Sequence, residues 1–147
     1  MKISFAIVLV ATCAIGTGAG GQNHPNPSAP ASCPLAADIS PVHLYGLWRA
    51  EFDGLPQSAT ILFERHAELA GSVSGGVNRD GVKALIAGDV DQGEFTLEES
   101  QDGQRIAATW LGRVVEGSCG KEIRGIWNST SNNASYPFVL RKQPGWQ

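Results

Sequence analysis

Short segments of strand-forming residues recur after Pro41 at nearly even spacing, and this recurrence is the feature that most constrains the fold. Eight such segments are predicted, and their starts lie 11 to 16 residues apart. No stretch keeps an apolar period of about 3.6 residues for three turns, so long amphipathic helices are not expected. This spacing is typical of an antiparallel meander and not of βαβ units. The predicted strands begin near Gly46, Ala59, Gly71, Val82, Glu94, Arg105, Lys121 and Tyr136.

Turn chemistry separates the predicted strands. Gly- or Asx-rich pairs and triplets such as Asp53-Gly54, Arg79-Asp80-Gly81 and Asp91-Gln92-Gly93 stand between them. Glycine and Asx residues supply the backbone conformations that tight hairpin connections require. We therefore expect consecutive strands to be joined by short antiparallel turns.

Period-two alternation identifies one apolar face in the clearest strands. Trp48 shares a face with Ala50 and Phe52, and Trp110 and Trp127 stand on faces that otherwise carry small and aliphatic residues. Such a face suits the inside of a narrow closed sheet, and closure removes the exposed edges of an open meander. The predicted fold is all-β, an eight-stranded antiparallel up-and-down barrel spanning residues 43–143.

The segment 63–70 is helix-prone by composition. It could form one helical turn, or the end of a strand followed by a turn. We favour the strand end and turn, because the surrounding pattern is that of strands.

The first 19 residues have the layout of a secretory signal. Lys2 precedes an uncharged, mostly apolar run to Ala19, and small residues follow. Cleavage after Ala19 is expected, although the run is nearly long enough for a retained membrane anchor. Val10-Ala11-Thr12-Cys13 also resembles a bacterial lipobox in part, with Thr12 where that motif has a smaller residue. Membrane attachment is therefore expected only if Cys13 is lipidated.

Residues 20–42 read as a leader rich in proline, glycine and serine, which should lack regular structure. Removal of residues 1–19 leaves two of the three cysteines, Cys33 and Cys119. Two cysteines in an exported domain predict one disulfide, Cys33–Cys119, that staples the leader to a later loop. The expected location is the periplasm or the extracellular space.

Size and charge limit the function. With 147 residues, of which 42% are hydrophobic, the chain can build one domain with a real core. Its formal charge of −3 comes without a cluster of lysine and arginine. Nucleic acid is therefore not an expected partner, because its binding depends on neutralising phosphates.

Gly46-Leu47-Trp48 at the start of the first strand, with Arg141 near the end of the last, resembles the arrangement of calycins. In lipocalins, fatty-acid-binding proteins and avidins, a first-strand Trp closes one end of the barrel beneath a last-strand basic residue. Bacterial metalloprotease inhibitors of the AprI/Inh type are similar in size, in the Gly-x-Trp start and in having a single disulfide. The resemblance covers residues 46–142 and implies either ligand binding or protease inhibition.

Two departures qualify what the resemblance implies. Arg49 and Glu51 stand in the first strand where avidins place their biotin-binding polar residues, so biotin binding is not predicted. The inhibitors carry their disulfide within the barrel, whereas Cys33 precedes it.

A catalytic or metal site is not predicted, and no cofactor is expected. Of the three histidines, His24 lies in the leader, His43 precedes the first strand and His66 stands alone. Such a distribution does not predict a metal triad or a Ser-His-Asp set. A run of acidic residues lacks the ligand spacing of a Ca²⁺ loop and reads as a solvated hairpin. It comprises Asp89, Asp91, Glu94, Glu98, Glu99 and Asp102.

Trp48, Trp110 and Trp127 either fill the barrel or line a cavity in it. In a cavity they would hold a small hydrophobic ligand, with Arg124 or Arg141 as partner for an anionic group. Arg141 is otherwise expected to cover Trp48 by a cation–π contact.

Three functions follow from these observations, and none is enzymatic. The first is an exported binding protein for a small hydrophobic ligand. The second is a protease inhibitor that presents its leader, and the third is an envelope structural lipoprotein.

Overall fold

The computed structural model describes residues 32–145, so the expected signal sequence, the leader up to residue 31, Trp146 and Gln147 lie outside the described residues. Eight antiparallel strands follow one another in sequence order and close into a barrel, with β1 paired to β8. The prediction of an all-β up-and-down barrel is confirmed. The strands are β1 (Gly46–Phe52), β2 (Ala59–Arg65), β3 (Ser72–Arg79), β4 (Val82–Asp91), β5 (Glu94–Ser100), β6 (Ala108–Val114), β7 (Glu122–Ser129) and β8 (Ser135–Lys142).

Seven of the eight strands begin within one residue of the predicted position, and β6 begins three residues late, at Ala108. The delay comes from a turn held by Asp102. One of its carboxylate oxygens accepts hydrogen bonds from the backbone N–H groups of Gln104 and Arg105, at 2.9 and 2.8 Å. A side chain that satisfies backbone donors in this way competes with strand pairing.

The helix-prone segment 63–70 forms the end of β2 and a turn, as expected. The ring of His66 fixes the turn, because its Nδ1 accepts hydrogen bonds from the backbone N–H groups of Glu68 and Leu69, at 3.2 and 3.1 Å. Local capping by a side chain thus replaces the helical hydrogen bonds that the composition would allow.

Aromatic side chains fill the barrel. Trp48 and Trp110 are fully buried. The ring of Phe63 meets those of Trp48 and Phe95 edge-on, at centroid distances of 5.9 and 6.1 Å, and Phe52 lies 5.4 Å from Trp110. Tilted and edge-on rings at these distances are attractive beyond their burial. The interior of this eight-stranded barrel is therefore a packed core.

Two inward-facing glycines make room for this packing. Gly112 and Gly125 pair across β6 and β7. A Cβ on Gly112 would lie 2.6 Å from the carbonyl oxygen of Arg124 and 3.2 Å from the ring of Phe138, and a Cβ on Gly125 would overlap the carbonyl oxygen of Leu111. The missing side chains let these strands approach and let the Phe138 ring cross the interior.

A short helix, α1 (Pro41–Leu44), covers the end of the barrel where β1 begins, which we call the helix-closed end. Leu44 is fully buried, and its carbonyl oxygen accepts a hydrogen bond from Trp48 Nε1 at 2.7 Å. The expectation that residues 20–42 lack regular structure is wrong for their last part, which also holds a 3-10 helix, Ala36–Asp38. Pro41 begins α1 because proline, which lacks an N–H, is favoured in the first helical turn. Within residues 32–145, no helix is both long and apolar enough to cross a membrane.

The Cys33–Cys119 disulfide is present and joins cysteines 86 residues apart. It fixes the start of the described segment to the loop between β6 and β7. A second tie lies beside it, where the backbone N–H of Ala36 donates to Glu116 Oε2 at 3.1 Å. A disulfide of this kind indicates an oxidising compartment.

Candidate functional site

The three tryptophans assigned to a ligand site lie inside the barrel and contribute to its packing. Trp48 and Trp110 have no exposed surface, and Trp127 is 9% exposed. Trp127 stacks on Tyr136 with ring centroids 6.0 Å apart. A ligand among these rings would have to displace them.

Arg124 and Arg141 lie on the outer wall of the barrel. Arg124 pairs with Glu122 at 2.7 Å, and Arg141 bridges Glu122 and Glu51 at 3.2 and 3.0 Å. Neither guanidinium therefore faces the interior. Hydrogen bonding to Arg124, together with the charges of both arginines, holds the pKa of the Glu122 carboxyl below its usual value.

The expected contact of Arg141 with Trp48 is wrong by one residue. Lys142 lies over Trp48 instead, with its Nζ 6.0 Å from the ring centroid. Lys142 is the residue paired with Trp48 across β1 and β8, so both face inward and Arg141 faces outward. The same Nζ donates to the carbonyl oxygen of His43 at 2.7 Å. Its burial lowers the pKa of Lys142.

A buried carboxylate stands at the opposite end of the barrel, the loop end, where β3 turns into β4. Glu99 is 5% exposed. Arg79 Nη2 donates to both of its oxygens, at 2.9 and 2.7 Å, and the indole N–H groups of Trp110 and Trp127 donate to Glu99 Oε2, each at 3.2 Å. Four hydrogen bonds thus compensate the burial of the charge.

The Arg79 guanidinium is held between aromatic rings as well. Its central carbon lies 4.8 Å from the centroid of Trp127 and 5.7 Å from that of Phe52. Its Nε is buried and has no hydrogen-bond partner within residues 32–145. Nη2 donates to both oxygens of Glu99, so the pair links the loop end of the barrel to its aromatic core.

Sequence reasoning missed this pair. Glu99 was assigned to a solvated acidic hairpin, yet it follows Phe95 and Leu97 at period two and therefore shares their inner face. Arg79 was assigned to a turn, yet it follows Val77 in the same way. Period-two alternation predicts that both side chains point into the barrel, whereas their charge favours an exposed position.

The two described histidines, His43 and His66, accept hydrogen bonds from backbone N–H groups. His43 Nδ1 accepts a hydrogen bond from the backbone N–H of Ser40 at 3.0 Å, and His66 Nδ1 caps the turn after β2. His24 lies outside the described residues. Among residues 32–145, no group of three or more His, Cys, Asp and Glu side chains is placed to hold a metal ion.

An open depression on the outer wall, which we call the apolar groove, crosses four strands. Strand register aligns Leu47, Leu62, Gly76 and Leu85 in one row across β1 to β4. The cavity measures about 410 Å³. Gly76 forms its floor, and a Cβ there would come no closer than 3.7 Å to the nearest atom, so the space above it is free.

Polar groups rim the apolar groove. Thr60, Asn78, Lys83 and Gln101 border it. Leu85 is 59% exposed and Leu62 is 38% exposed, which is unusual for a row of adjacent leucines on a barrel wall. The apolar groove thus combines a hydrophobic floor with a few polar groups that could orient a ligand.

A second depression lies next to it, beneath the loop that joins β5 and β6. It measures about 500 Å³ and is bordered by Glu64, His66, Glu98 and Arg105. Its mixed charges offer no single chemistry for a ligand, and Arg105 is already paired with Asp102 at 3.0 Å.

Comparison with known proteins does not assign the chain to a family. No model of a known protein family matches the sequence, and no curated protein matches it either. The likeness to calycins is therefore one of architecture, an eight-stranded antiparallel closed barrel.

Proposed function

We propose that this protein is an exported, non-enzymatic binding protein that holds a small hydrophobic ligand in the apolar groove on the outer wall of its barrel. The observation that carries the proposal is the groove itself. The groove has a volume of about 410 Å³ and a row of exposed leucines. The interior of the barrel, in contrast, is already filled by side chains. Ligand sites in proteins commonly measure about 300 to 1,000 Å³ and are mostly apolar.

The packing of the core favours the outer wall over the interior. A ligand between Trp48 and Trp110 would have to expel side chains that have no exposed surface. Displacing one such ring costs several kcal/mol, on the order of a large-to-small substitution in a core. A ligand in the apolar groove instead covers surface that is already in contact with water, which is favourable by about 25 cal/mol per Å².

The rim suggests the shape of the ligand. Thr60, Asn78 and Lys83 are paired in one row across β2, β3 and β4, two residues from the row of leucines, so these polar groups border the same side of the groove. A hydrophobic body with one anionic or hydrogen-bonding head would place its body on Leu62 and Leu85 and its head at Lys83. Export to the periplasm or the extracellular space belongs to the proposal and is supported by the Cys33–Cys119 disulfide.

A titration with 1-anilinonaphthalene-8-sulfonate, an apolar fluorophore with an anionic group, tests the proposal on the exported protein. Two variants alter the groove: Gly76→Val fills its floor and Leu62→Asp places a charge in it. Gly71→Val, at an open position outside the groove, and Leu111→Asp, on the wall of β6, are the matched controls. We expect about tenfold weaker binding in the groove variants and unchanged binding in the controls. Equal affinity in all four would overturn the proposal.

Inhibition of a protease is the second candidate, favoured by the disulfide. Cys33 ties the end of the leader to a filled, rigid barrel, and Leu35 and Val42 are 60% and 62% exposed near that tie. A stapled, partly apolar segment on a rigid holder suits insertion into a protease cleft. The double substitution Leu35→Asp/Val42→Asp, which keeps the disulfide, should then abolish inhibition of a metalloprotease and leave the circular dichroism spectrum unchanged. Inhibition that survives this substitution would refute insertion of the stapled segment.

A further inference from the structure

We propose that the ligand of the apolar groove is an amphiphile whose uncharged, hydroxyl-rich head lies in a second, polar cavity at the loop end of the outer wall. This assignment rests on the proposed function, because it names the chemical class of the molecule that the groove holds. The apolar body lies on Leu62 and Leu85, and the head extends from there toward the loop end.

The second cavity, which we call the polar depression, is continuous with the apolar groove. It measures about 470 Å³ and lies between the loop that joins β1 to β2 and the turn that joins β3 to β4. Thr60 and Asn78 line both cavities and are partners across β2 and β3. Side chains opposed in this way stand about 5 Å apart. One molecule that crosses this pair therefore touches both cavities.

The outer face changes from apolar to polar along two neighbouring strands. On β2, the outward side chains toward the loop end are those of Leu62, then Thr60, and Ser58 just before the strand. On β3, Asn78 is followed in the same way by Asp80 in the turn. The four residues from Leu62 to Ser58 span about 14 Å of extended backbone. This length separates an apolar body from its polar head within one ligand.

Neutral hydrogen-bonding side chains form most of the polar depression. Gln57 contributes an amide, and Ser58 and Thr60 contribute hydroxyls. Asn78 Oδ1 accepts a hydrogen bond from the backbone N–H of Gly81 at 2.9 Å, so its amide NH₂ is left to donate to a ligand. Hydroxyl groups both donate and accept, and they therefore match amides and hydroxyls alike.

The charges near the two cavities favour a head without net charge. Lys83 is paired with Asn78 across β3 and β4, beside the junction of the cavities, and Asp80 lines the polar depression beyond it. An anionic head in the polar depression would be repelled by the carboxylate of Asp80, and a cationic head by the ammonium group of Lys83. An uncharged head avoids both repulsions, and its hydroxyls can donate to Asp80.

Isothermal titration calorimetry with decyl amphiphiles, below their critical micelle concentrations, tests the nature of the head. Decyl glucoside, decanoate and decylphosphocholine share one chain and carry an uncharged hydroxylated, an anionic and a zwitterionic head. We expect decyl glucoside to bind about tenfold more tightly than the other two, as a gain of one or two hydrogen bonds would give. Binding of decanoate or decylphosphocholine that equals or exceeds that of decyl glucoside would overturn the proposal.

Substitutions in the loop between β1 and β2 test the place of the head. Gln57→Ala/Ser58→Ala should weaken the binding of decyl glucoside about tenfold. It should leave the affinity for 1-anilinonaphthalene-8-sulfonate unchanged, because both residues line the polar depression and lie outside the apolar groove. Gln104→Ala/Ser131→Ala, at exposed positions in other loops, is the matched control and should change neither affinity. Full affinity for decyl glucoside in Gln57→Ala/Ser58→Ala would contradict the location of the head.

The fluorophore separates a failure of the head assignment from a failure of the groove. If the fluorophore binds and responds to Gly76→Val, but the protein does not prefer decyl glucoside, the head assignment is wrong and the proposed function stands. If neither the fluorophore nor any decyl amphiphile binds, both proposals are overturned.

Discussion

The two ends of the barrel bury tryptophan in different ways. At the helix-closed end, Trp48 donates its N–H to a backbone carbonyl oxygen, that of Leu44. At the loop end, Trp110 and Trp127 donate theirs to the carboxylate of Glu99. A buried indole needs an acceptor in both places, but a neutral acceptor makes no further demand, whereas a carboxylate also needs a cation. The loop end should therefore be more sensitive to the loss of one partner.

Loss of the disulfide should have the largest effect, and it acts on the helix-closed end. The double substitution Cys33→Ser/Cys119→Ser opens a loop of 86 residues and should lower the free energy of unfolding by about 4.5 kcal/mol in the chain-entropy model. Urea denaturation of the oxidised protein and of the variant measures it. A loss below about 1 kcal/mol would mean that the leader segment is held by its noncovalent contacts.

Truncation of Glu99 should have the next largest effect on stability, and it tests the loop end. Glu99→Ala leaves the Arg79 guanidinium buried without a counter-charge and two indole N–H groups without an acceptor. We expect a destabilisation of about 3 to 4 kcal/mol by urea denaturation. The double variant Arg79→Met/Glu99→Leu should recover the part of the loss that comes from the unpaired charge, because apolar residues replace the ion pair, whereas the two indole N–H groups still lack an acceptor. A double variant as unstable as the single one would contradict this account of the loop end.

Trp48→Phe measures how much the hydrogen bond of a buried indole contributes to stability at the helix-closed end. It removes the hydrogen bond to Leu44 and part of a ring that has no exposed surface. The expected cost is about 2 kcal/mol, smaller than that of Glu99→Ala because no charge is left unpaired. The comparison of the two ends fails if Trp48→Phe proves the more harmful substitution.

The smallest expected effect belongs to the outer wall. Glu122 has a pKa below its usual 4.5, so its pairing with Arg124 and Arg141 stabilises the fold above the unfolded-state pKa and is lost as pH falls through the folded-state pKa. Glu122→Gln should reduce stability at pH 7 by less than about 1 kcal/mol and flatten the acid limb of the stability curve. Thermal unfolding between about pH 3 and about pH 7 measures both effects. An unchanged acid limb would show that other carboxylates govern it.

Local pattern was enough to predict the strands, because period-two alternation and Gly or Asx turns are encoded in neighbouring residues. Strand starts at Gly46, Ala59, Val82 and Glu94 were correct to the residue. The short helix α1 escaped prediction, since four residues cannot display a helical period.

The candidate site was harder to predict, because it depends on pairing between distant strands. Leu47, Leu62 and Leu85 become neighbours only through the register of β1 to β4. The inward position of Glu99 was within reach of alternation, but its charge favoured an exposed assignment. Arg141 was placed over Trp48 because the register of β8 against β1 is not visible in either strand alone.

The pairing of β1 with β8 has a consequence for how the protein is made. The first and last strands pair although about ninety residues of sequence separate them, as for Ala50 and Leu140. The sheet therefore cannot close until the last strand has been synthesised. A chain whose last strand has not yet been synthesised would expose the edges of β1 and β7, which are open to pairing with other chains. Closure of the barrel is thus the event that turns an aggregation-prone intermediate into a protein without free edges, and it must follow synthesis of the whole domain.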